Sequence, residues 1–113
     1  MRYALLICQD ENTVFSPEER SVRLAAFNAF TGGMDARGIL LSGFRLQPTS
    51  AATTVKVRDG GVVIADGPFA ETKEQIAGFY LVECKDLDEA IEVAANIPSA
   101  LNGTIEVRPV WET

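Results

Sequence analysis

The residues best suited to chemistry lie in one short stretch, Asp66-Gly67-Pro68-Phe69, directly before an apolar segment. An aspartate at a strand end, beside a turn and among apolar strands, could have a raised pKa and act as a base, or could bind a ligand hydroxyl. An aspartate before Gly-Pro also readily caps its own turn through nearby backbone N–H groups. Asp66 is therefore the candidate catalytic and ligand-binding residue, with turn capping as the structural alternative.

The residues that follow Asp66 are candidate ligand contacts, each with a structural alternative. Gly67 and Pro68 fit a turn better than a ligand contact, because both residue types favour turn geometry. Phe69 fits a plug of the core better than a stacking platform. Glu71 lies in a charged run that is typical of a solvated surface or a first helical turn.

Two further candidate ligand-binding residues stand at the start of the chain. Arg2 could clamp a ligand carboxylate with two parallel hydrogen bonds, although an ion pair with a nearby acid at the rim is the commoner role. Tyr3 has an apolar body and a polar tip, which favours a place in the core over a catalytic one. Together with residues 66–69 and Glu71, they complete the set of candidates.

Chemistry that depends on histidine or a metal is not expected of this chain, and we expect no cofactor. The chain has no histidine, and Cys8 and Cys84 are too far apart for metal-ligand spacing. A catalytic thiolate would need a basic or helix-N-terminal setting, so buried, inert thiols are the main interpretation and a redox pair is a minor hypothesis. Both cysteines end strands that we expect to be parallel neighbours, so the two thiols could lie close together.

Length and composition limit the class of protein. With 113 residues, of which 47% are apolar, the chain predicts one domain over residues 1–113 with a small core. A net charge of −6 argues against binding to nucleic acid, which needs clustered cations. No signal peptide and no apolar run long enough to span a bilayer are visible, so we expect no membrane contact and a cytoplasmic location.

The elements that must position these residues follow from hydrophobic periodicity, in the order strand, helix, strand, hairpin, strand, helix, strand. The strands are predicted at residues 2–8, 38–44, 76–84 and 104–110, with the hairpin at residues 53–67. Without the hairpin, the order is β-α-β-β-α-β. That order predicts an α+β domain with a ferredoxin-like split βαβ topology, an inserted β-hairpin and an antiparallel sheet.

The two helices carry N-terminal capping boxes, since Ser or Asp is followed three residues later by Glu. The caps are Ser16 with Glu19 and Asp86 with Glu89. The first helix ends either at Thr31, before two weakening glycines, or near Gly38. Residues 71–75 fit one helical turn. The predicted inner faces consist of Val22, Ala25, Ala26, Ala29 and Phe30 in the first helix, and of Leu87, Ala90, Ile91, Ala94 and Ala95 in the second.

The predicted strands are apolar on both faces, which a sheet with helices on one side does not require. An antiparallel sheet covered on one side usually alternates apolar and polar residues. Here the segments at residues 3–8, 38–44 and 78–84 carry apolar residues on both faces, with Ser42 and Glu83 as the polar exceptions. The hairpin could cover part of the second face, but a second copy of the chain is the simpler cover, so we expect a homodimer packed sheet to sheet.

Seven stretches carry a family resemblance, in order along most of the chain: RYALLIC, SPEE, GILLSGFRLQP, TTVKVRDG, ADGPFAETKEQIAGFYLVE, DLDEAIEVA and IEVRPV. On these, the chain resembles the YCII-related superfamily and, within it, the DGPF-domain branch. The resemblance implies a ferredoxin-like α+β fold that dimerises into an α/β barrel. It also suggests an accessory or regulatory role, because DGPF proteins often occur alongside extracytoplasmic-function sigma factors.

The resemblance does not carry a catalytic mechanism to this chain. Other YCII branches resemble enzymes with a proposed His/Asp pair in a cleft, and this chain has no histidine. Where DGPF relatives carry His-Gly before the last strand, this chain has Asn102-Gly103. An asparagine can hydrogen-bond, but it cannot transfer a proton near neutral pH.

Three functions are therefore expected, in order of preference. The first is a homodimer that binds a small polar or acidic metabolite in a cleft at residues 66–69, with weak lyase- or isomerase-type chemistry through Asp66. The second is a non-enzymatic module that docks on a protein partner such as a sigma factor. The third is a family member that keeps the fold and has lost the chemistry.

Overall fold

The computed structural model describes residues 1–112 of the chain. Its elements in chain order are β1 (Arg2–Gln9), α1 (Pro17–Ala36), β2 (Leu40–Arg45), β3 (Thr53–Arg58), β4 (Gly61–Asp66), β5 (Gln75–Glu83), α2 (Leu87–Ala95) and β6 (Thr104–Pro109). Short 3-10 helices occupy Thr49–Ala51 and Pro98–Leu101. The predicted strands, the two long helices and their order are confirmed, with boundaries shifted by a few residues, whereas residues 71–75 form no helical turn.

Four strands form one sheet in the order β2-β5-β1-β6, and every neighbouring pair is antiparallel. The two helical connections each skip over one strand, which is the split βαβ arrangement. This confirms an α+β domain with ferredoxin-like topology. Strands β3 and β4 form a separate two-stranded sheet, the inserted hairpin.

The expectation that Cys8 and Cys84 lie close together is wrong. Strand β5 lies between β1 and β2 and runs against both, so β1 and β5 are antiparallel rather than parallel. Cys8 pairs with Ile76 near the end of β1, whereas the Cys84 N–H donates to the Met1 carbonyl at the other end, at 2.8 Å. The two cysteines are separated by about 25 Å along the strands, at roughly 3.3 Å per residue.

The core lies between one face of the sheet and the two helices. Alternate residues of β1, namely Tyr3, Leu5 and Ile7, are buried on this face, with Val82 beside them on β5. The helices contribute Phe30 and Met34 from α1, and Ala90, Val93 and Ala94 from α2, and the loops on either side of α2 add Cys84 and Ile97. This side of the sheet is the covered face, and the opposite side is called the open face below.

Helix α1 buries only part of the predicted stripe: Phe30 is buried as predicted and Ala26 is half-buried, whereas Val22, Ala25 and Ala29 are exposed. Val22 is 69% exposed, and the core side carries Phe27 and Met34 beside Phe30. The reason is size, because burying two phenylalanines and a methionine removes more apolar area from water than burying a row of alanines. The helix runs through the two glycines to Ala36, and Gly38 follows with a φ of 71°, as the longer alternative predicts.

Helix α2 likewise buries only part of its predicted stripe, since Ala90 and Ala94 are buried as predicted and Ala95 is exposed. Leu87 and Ile91, which were predicted to face inward, are 49% and 50% exposed, while Val93 is fully buried. Val93 lies three residues after Ala90, so the inner stripe runs through Ala90, Val93 and Ala94. The larger Leu and Ile side chains lie at the border of the stripe and pack only in part.

The N-terminal caps are confirmed, with one difference. In α1 the Glu19 N–H donates to Ser16 Oγ at 3.1 Å and the Ser16 N–H donates to Glu19 Oε1 at 3.1 Å, a complete capping box. In α2 the Glu89 N–H donates to Asp86 Oδ1 at 2.9 Å. The Glu89 carboxylate, however, accepts from the N–H of Lys85, one residue before the cap, so this box is not closed as predicted.

The hairpin leaves the open face uncovered. Its two-residue turn has Asp59 at φ 51° and Gly60 at φ 75°, the geometry of a type I′ turn. Every residue of β4 is exposed. One side of the hairpin is apolar and is formed by four exposed residues, two from β3 and two from β4. These are Val55, Val57, Val62 and Ile64, which lie on the same side because Val55 pairs with Ile64 and Val57 with Val62.

Candidate functional site

A cleft of about 560 Å³ lies where the end of β1 meets the loop between β4 and β5, residues 67–74, here called the 67–74 loop. Its walls are mainly polar. The lining residues are Asp10, Glu11, Asn12, Thr49, Pro68, Glu71, Thr72, Lys73 and Gln75. We call it the loop cleft, since the 67–74 loop provides four of these residues.

The 67–74 loop is held by hydrogen bonds from its two ends rather than by helical structure. At its start, Thr54 Oγ1 donates to the Gly67 carbonyl at 2.6 Å, and the Gly67 N–H donates to the Ala52 carbonyl at 2.8 Å. At its end, Gln75 Nε2 donates to the carbonyls of Ala70 and Thr72 at 2.7 and 3.1 Å. The predicted helical turn at residues 71–75 is wrong, because the Gln75 amide satisfies carbonyls that a helix would otherwise have to pair.

Two of the three carboxylates in the loop cleft already have structural partners. The Asn12 N–H donates to Asp10 Oδ1 at 2.9 Å, which closes a local turn after β1. Glu11 accepts from both the N–H and the hydroxyl of Thr49, at 2.7 and 2.6 Å. Within residues 1–112, the charged ends of Glu71 and Lys73 have no such hydrogen bond, so these two groups remain available to a ligand.

Asp66 lies at the end of β4, paired with Thr53 and exposed. Within residues 1–112 its carboxylate makes no hydrogen bond, so the predicted cap of its own turn is absent. It is also not among the residues that line the loop cleft. Its proposed role as a base stays a prediction.

The other residues of the DGPF stretch behave in two ways. Gly67 adopts a φ of 94° and forms the turn, as predicted, and Pro68 lines the loop cleft. Phe69 is 79% exposed, so the expectation that it plugs the core is wrong. Its ring lies 5.3 Å from the Lys56 ammonium, a distance typical of a cation–π contact.

Arg2 and Tyr3 lie at the other end of β1 from the loop cleft. Arg2 donates from Nη2 to Glu112 Oε2 at 2.7 Å and from Nε to Oε1 at 3.2 Å, the ion-pair alternative. This hydrogen bond raises the pKa of Arg2 and lowers the pKa of Glu112. Tyr3 is buried in the core. A single chain therefore does not bring these two candidates together with the DGPF stretch.

Neither cysteine has the setting of a catalytic thiolate. Burial, followed by the charge of Glu106, raises the pKa of the Cys8 thiol. Burial, followed by the charge of Glu89, raises the pKa of the Cys84 thiol. Raised pKa values keep both thiols protonated near neutral pH, which is opposite to activation. Within residues 1–112, no three Cys, Asp or Glu side chains gather closely enough to hold a metal ion.

A second polar cluster lies on the helical side of the same end of the sheet, and sequence reasoning missed it. Arg23 donates from Nη1 to Asn102 Oδ1 at 3.3 Å and from Nη2 to Ser99 Oγ at 3.4 Å. The sequence held one signal of this cluster, because Arg23 lies four and seven residues before Phe27 and Phe30. A cation on the apolar stripe of a helix points to a specific partner.

The sheet order, together with two helices packed on one face, defines the class as an α+β protein with ferredoxin-like topology. The sequence profile of the YCII-related domain matches residues 1–113. An uncharacterised protein of Rhizobium meliloti (strain 1021) is 40% identical over 114 residues, which cover 97% of this chain and 92% of that relative. The chain belongs to the YCII-related family. Within residues 1–112, neither helix combines the length and the apolar character needed to cross a membrane.

Proposed function

We propose that this YCII-related protein is a homodimer that binds a small, polar, uncharged or cationic metabolite in the loop cleft. The proposal rests on Glu71 and Lys73, whose charged groups line a cleft of about 560 Å³ and are available to a ligand. The carboxylates of Asp10 and Glu11 in the same cleft already accept hydrogen bonds from the chain. A volume of this size is in the usual range of small-molecule sites.

The charges of the loop cleft narrow the ligand class. Three carboxylates and one ammonium line the cleft. Its net negative charge therefore favours a ligand with hydroxyl or amine groups over a ligand with a carboxylate. The ligand is thus polar rather than acidic. Binding is proposed without catalysis, since Asp66 does not line the loop cleft and its base role has no further support.

The homodimer is supported by the open face. Phe44 on β2 is 66% exposed, and its ring lies 6.0 Å from that of Phe79 on β5. Leu6 and Leu81 continue the same face, and within residues 1–112 no helix packs on it. A second copy of the chain would bury this apolar surface against an identical one, as two-fold symmetric dimers do.

The dimer is tested by light scattering on the wild type, Phe44→Lys and Val22→Lys. Both side chains are more than half exposed, so neither change should unfold the chain. We expect a dimeric wild type, a monomeric Phe44→Lys and a dimeric Val22→Lys, because Val22 lies on the outer side of α1. A monomeric wild type at high protein concentration would contradict the proposal.

The ligand site is tested by a thermal-shift screen of sugars, polyols and amines. A ligand at one hundred times its Kd adds about 2.7 kcal/mol to the free energy of unfolding, which raises Tm by several degrees. We expect Glu71→Gln and Lys73→Ala to remove the shift. Lys85→Ala, at the other end of the sheet, is the matched control and should keep it. A shift that survives both cleft variants would place the ligand elsewhere.

A second candidate function rests on the hairpin. Its apolar side, formed by Val55, Val57, Val62 and Ile64, is at least 60% exposed at every position. Such a surface fits a module that docks on a protein partner, and the DGPF resemblance suggests a sigma factor. Co-purification with the partner should fail for Val57→Lys and persist for Val63→Lys, because Val63 lies on the other side of the hairpin.

A further inference from the structure

Arg23 is held in a fixed position on the covered side of the sheet. Its guanidinium lies over the ring of Phe15, with the carbon 4.3 Å from the centroid, and 5.8 Å from the centroid of Phe27. Two hydrogen bonds, to Asn102 Oδ1 and Ser99 Oγ, orient its plane. A side chain that is stacked on aromatic rings and hydrogen-bonded at two points has little conformational freedom, so its guanidinium is held in one place.

The charge of Arg23 is not paired with an opposite charge within residues 1–112. Arg2, Arg37 and Arg108 each form an ion pair with a glutamate. Arg20, Arg45 and Arg58 form none within residues 1–112, but all three are exposed, whereas Arg23 is half-buried. Within residues 1–112, no carboxylate pairs with Arg23, although acids outnumber bases by six. Its two acceptors are a neutral amide and a neutral hydroxyl. A half-buried cation without a counter-ion carries a desolvation cost that a bound anion would offset.

The donors at Arg23 suit an oxyanion. A guanidinium has five N–H groups in a planar fork, and two of them are used here, so three remain. Because Asn102 accepts through Oδ1, its Nδ2 donors lie next to the same fork. A fork of this kind matches a carboxylate or phosphate through parallel hydrogen bonds.

The groups around Arg23 are themselves rigid, which a preformed site requires. Ser99 is fully buried and donates onward to Gln9 Oε1 at 3.0 Å, so its lone pair stays directed at Arg23. A Cβ at Gly103 would lie 2.5 Å from the Cys8 carbonyl oxygen. Glycine therefore lets the chain press against β1 there, and this contact positions Asn102 beside Arg23.

We propose that Arg23 and Asn102 form a binding site for a small oxyanion, a carboxylate or a phosphate group, on the helical side of the sheet. The site is separate from the loop cleft, since it shares no residue with the cleft lining. It also goes beyond the proposed function, because the loop cleft favours an uncharged or cationic ligand.

The test measures Tm of the full chain in inorganic phosphate, in acetate and in chloride at matched ionic strength. We expect a saturable increase over chloride in phosphate or acetate, and the anion with the lower apparent Kd identifies the source of the oxyanion. Arg23→Gln should raise the apparent Kd about tenfold or more, which is the loss of affinity expected when a hydrogen bond to a charged group is removed. Arg20→Gln, one helical turn away, is the matched control and should bind as the wild type does.

A second variant keeps the test decisive if Arg23→Gln does not fold. Asn102→Asp places a carboxylate of nearly the same shape beside the guanidinium, as an internal counter-ion. It should raise Tm in chloride and remove the anion-dependent increase. The proposal is overturned if neither anion exceeds chloride in the wild type, or if Asn102→Asp keeps the full increase. Lys73→Ala should not change the result, which separates this site from the loop cleft.

Discussion

The two faces of the four-stranded sheet are similar in sequence and opposite in surroundings. Along β1, Tyr3, Leu5 and Ile7 are buried under two helices, whereas the alternate residues Ala4 and Leu6 face a side that no helix of the described residues covers. Both sets are apolar, so the alternation that separates inside from outside in most antiparallel sheets is missing. The hydrophobic pattern of a strand therefore shows which surfaces must be buried, but it does not show which helix or second chain buries them.

The hairpin extends the comparison. Its apolar side is at least 60% exposed at every position, more than Leu6, Phe79 and Leu81 on the open face, and within residues 1–112 its strands pair with each other and with no other strand. A two-stranded sheet is marginal alone, because it buries little apolar surface. Within residues 1–112, exposed apolar side chains lie on the open face and the hairpin, and also on the outer sides of the helices, where Val22 and Leu24 are examples. The apolar side chains of the covered face form the core.

The largest expected difference between the faces is in the free energy of unfolding, when two adjacent leucines are each replaced by alanine. Leu5→Ala should lower the free energy of unfolding by about 2–5 kcal/mol, because it leaves a cavity under the helices. Leu6→Ala on the open face should cost about 1 kcal/mol or less at protein concentrations where the monomer predominates. Urea denaturation of both variants measures the difference. Equal costs for the two variants would remove the distinction between the faces.

Glycine variants test whether the covered face has spare volume. A Cβ at Gly43 would lie 2.6 Å from Tyr80 Cδ1, and Tyr80 packs on Phe30 with ring centroids 5.1 Å apart. Gly43→Ala should therefore cost about 1–3 kcal/mol through overpacking. Gly33→Ala, in the exposed part of α1 with open space around it, should instead stabilise by about 0.5–1 kcal/mol. Thermal denaturation gives both values, and a neutral Gly43→Ala would show that this side can expand.

The rates at which a thiol reagent modifies the two cysteines compare the accessibility of the two faces without any mutation. Cys8 follows Ala4 and Leu6 on the open face and is half-buried, whereas Cys84 is buried on the covered face. A thiol reagent should modify Cys8 first. Both rates should rise with pH, since burial raises both pKa values and the thiolate is the reactive form. Fewer than two free thiols without reductant would contradict the antiparallel placement of the cysteines.

The smallest expected effect concerns the cap of α1, which belongs to neither face. Hydrogen bonds from Ser16 lower the pKa of Glu19 in the folded chain. A lowered folded pKa means that this contribution to stability is complete above the unfolded pKa, and is lost as pH falls through the folded one. The Tm difference between the wild type and Glu19→Gln should therefore shrink as pH falls below about 4, the range in which an unfolded glutamate titrates. A difference that stays constant with pH would exclude the cap as its cause.

Local features of this fold were predictable because they depend on a few neighbouring residues. The capping box of Ser16 and Glu19 and the tight turn at Asp59-Gly60 both arise from side chains and backbone angles within four residues. The order of elements followed from hydrophobic periodicity. The inner faces of the helices were less predictable, since Val22 and Phe27 are both apolar and only the packing of the whole fold decides which of them faces the core.

The loop cleft was predictable only in part. The DGPF stretch drew attention to the correct loop, and Pro68 and Glu71 do line the cleft. Asp66 and Phe69 are exposed outside it, because the direction of each side chain depends on how the hairpin leaves the sheet. Arg2 lies at the far end of β1 for the same kind of reason, since strand direction decides which end of β1 meets the 67–74 loop.

The sequence by itself determined the family, the elements and their caps, because these depend on local residue types and on motifs that survive without the fold. Only the tertiary structure decided which face is covered, that Cys8 and Cys84 lie at opposite ends of the sheet, and that Arg23 meets Ser99 and Asn102. Arg23 is separated from those two residues by 76 and 79 positions in the chain. Contacts between residues so far apart depend on strand direction and on the packing of large side chains, and neither is encoded in any short stretch.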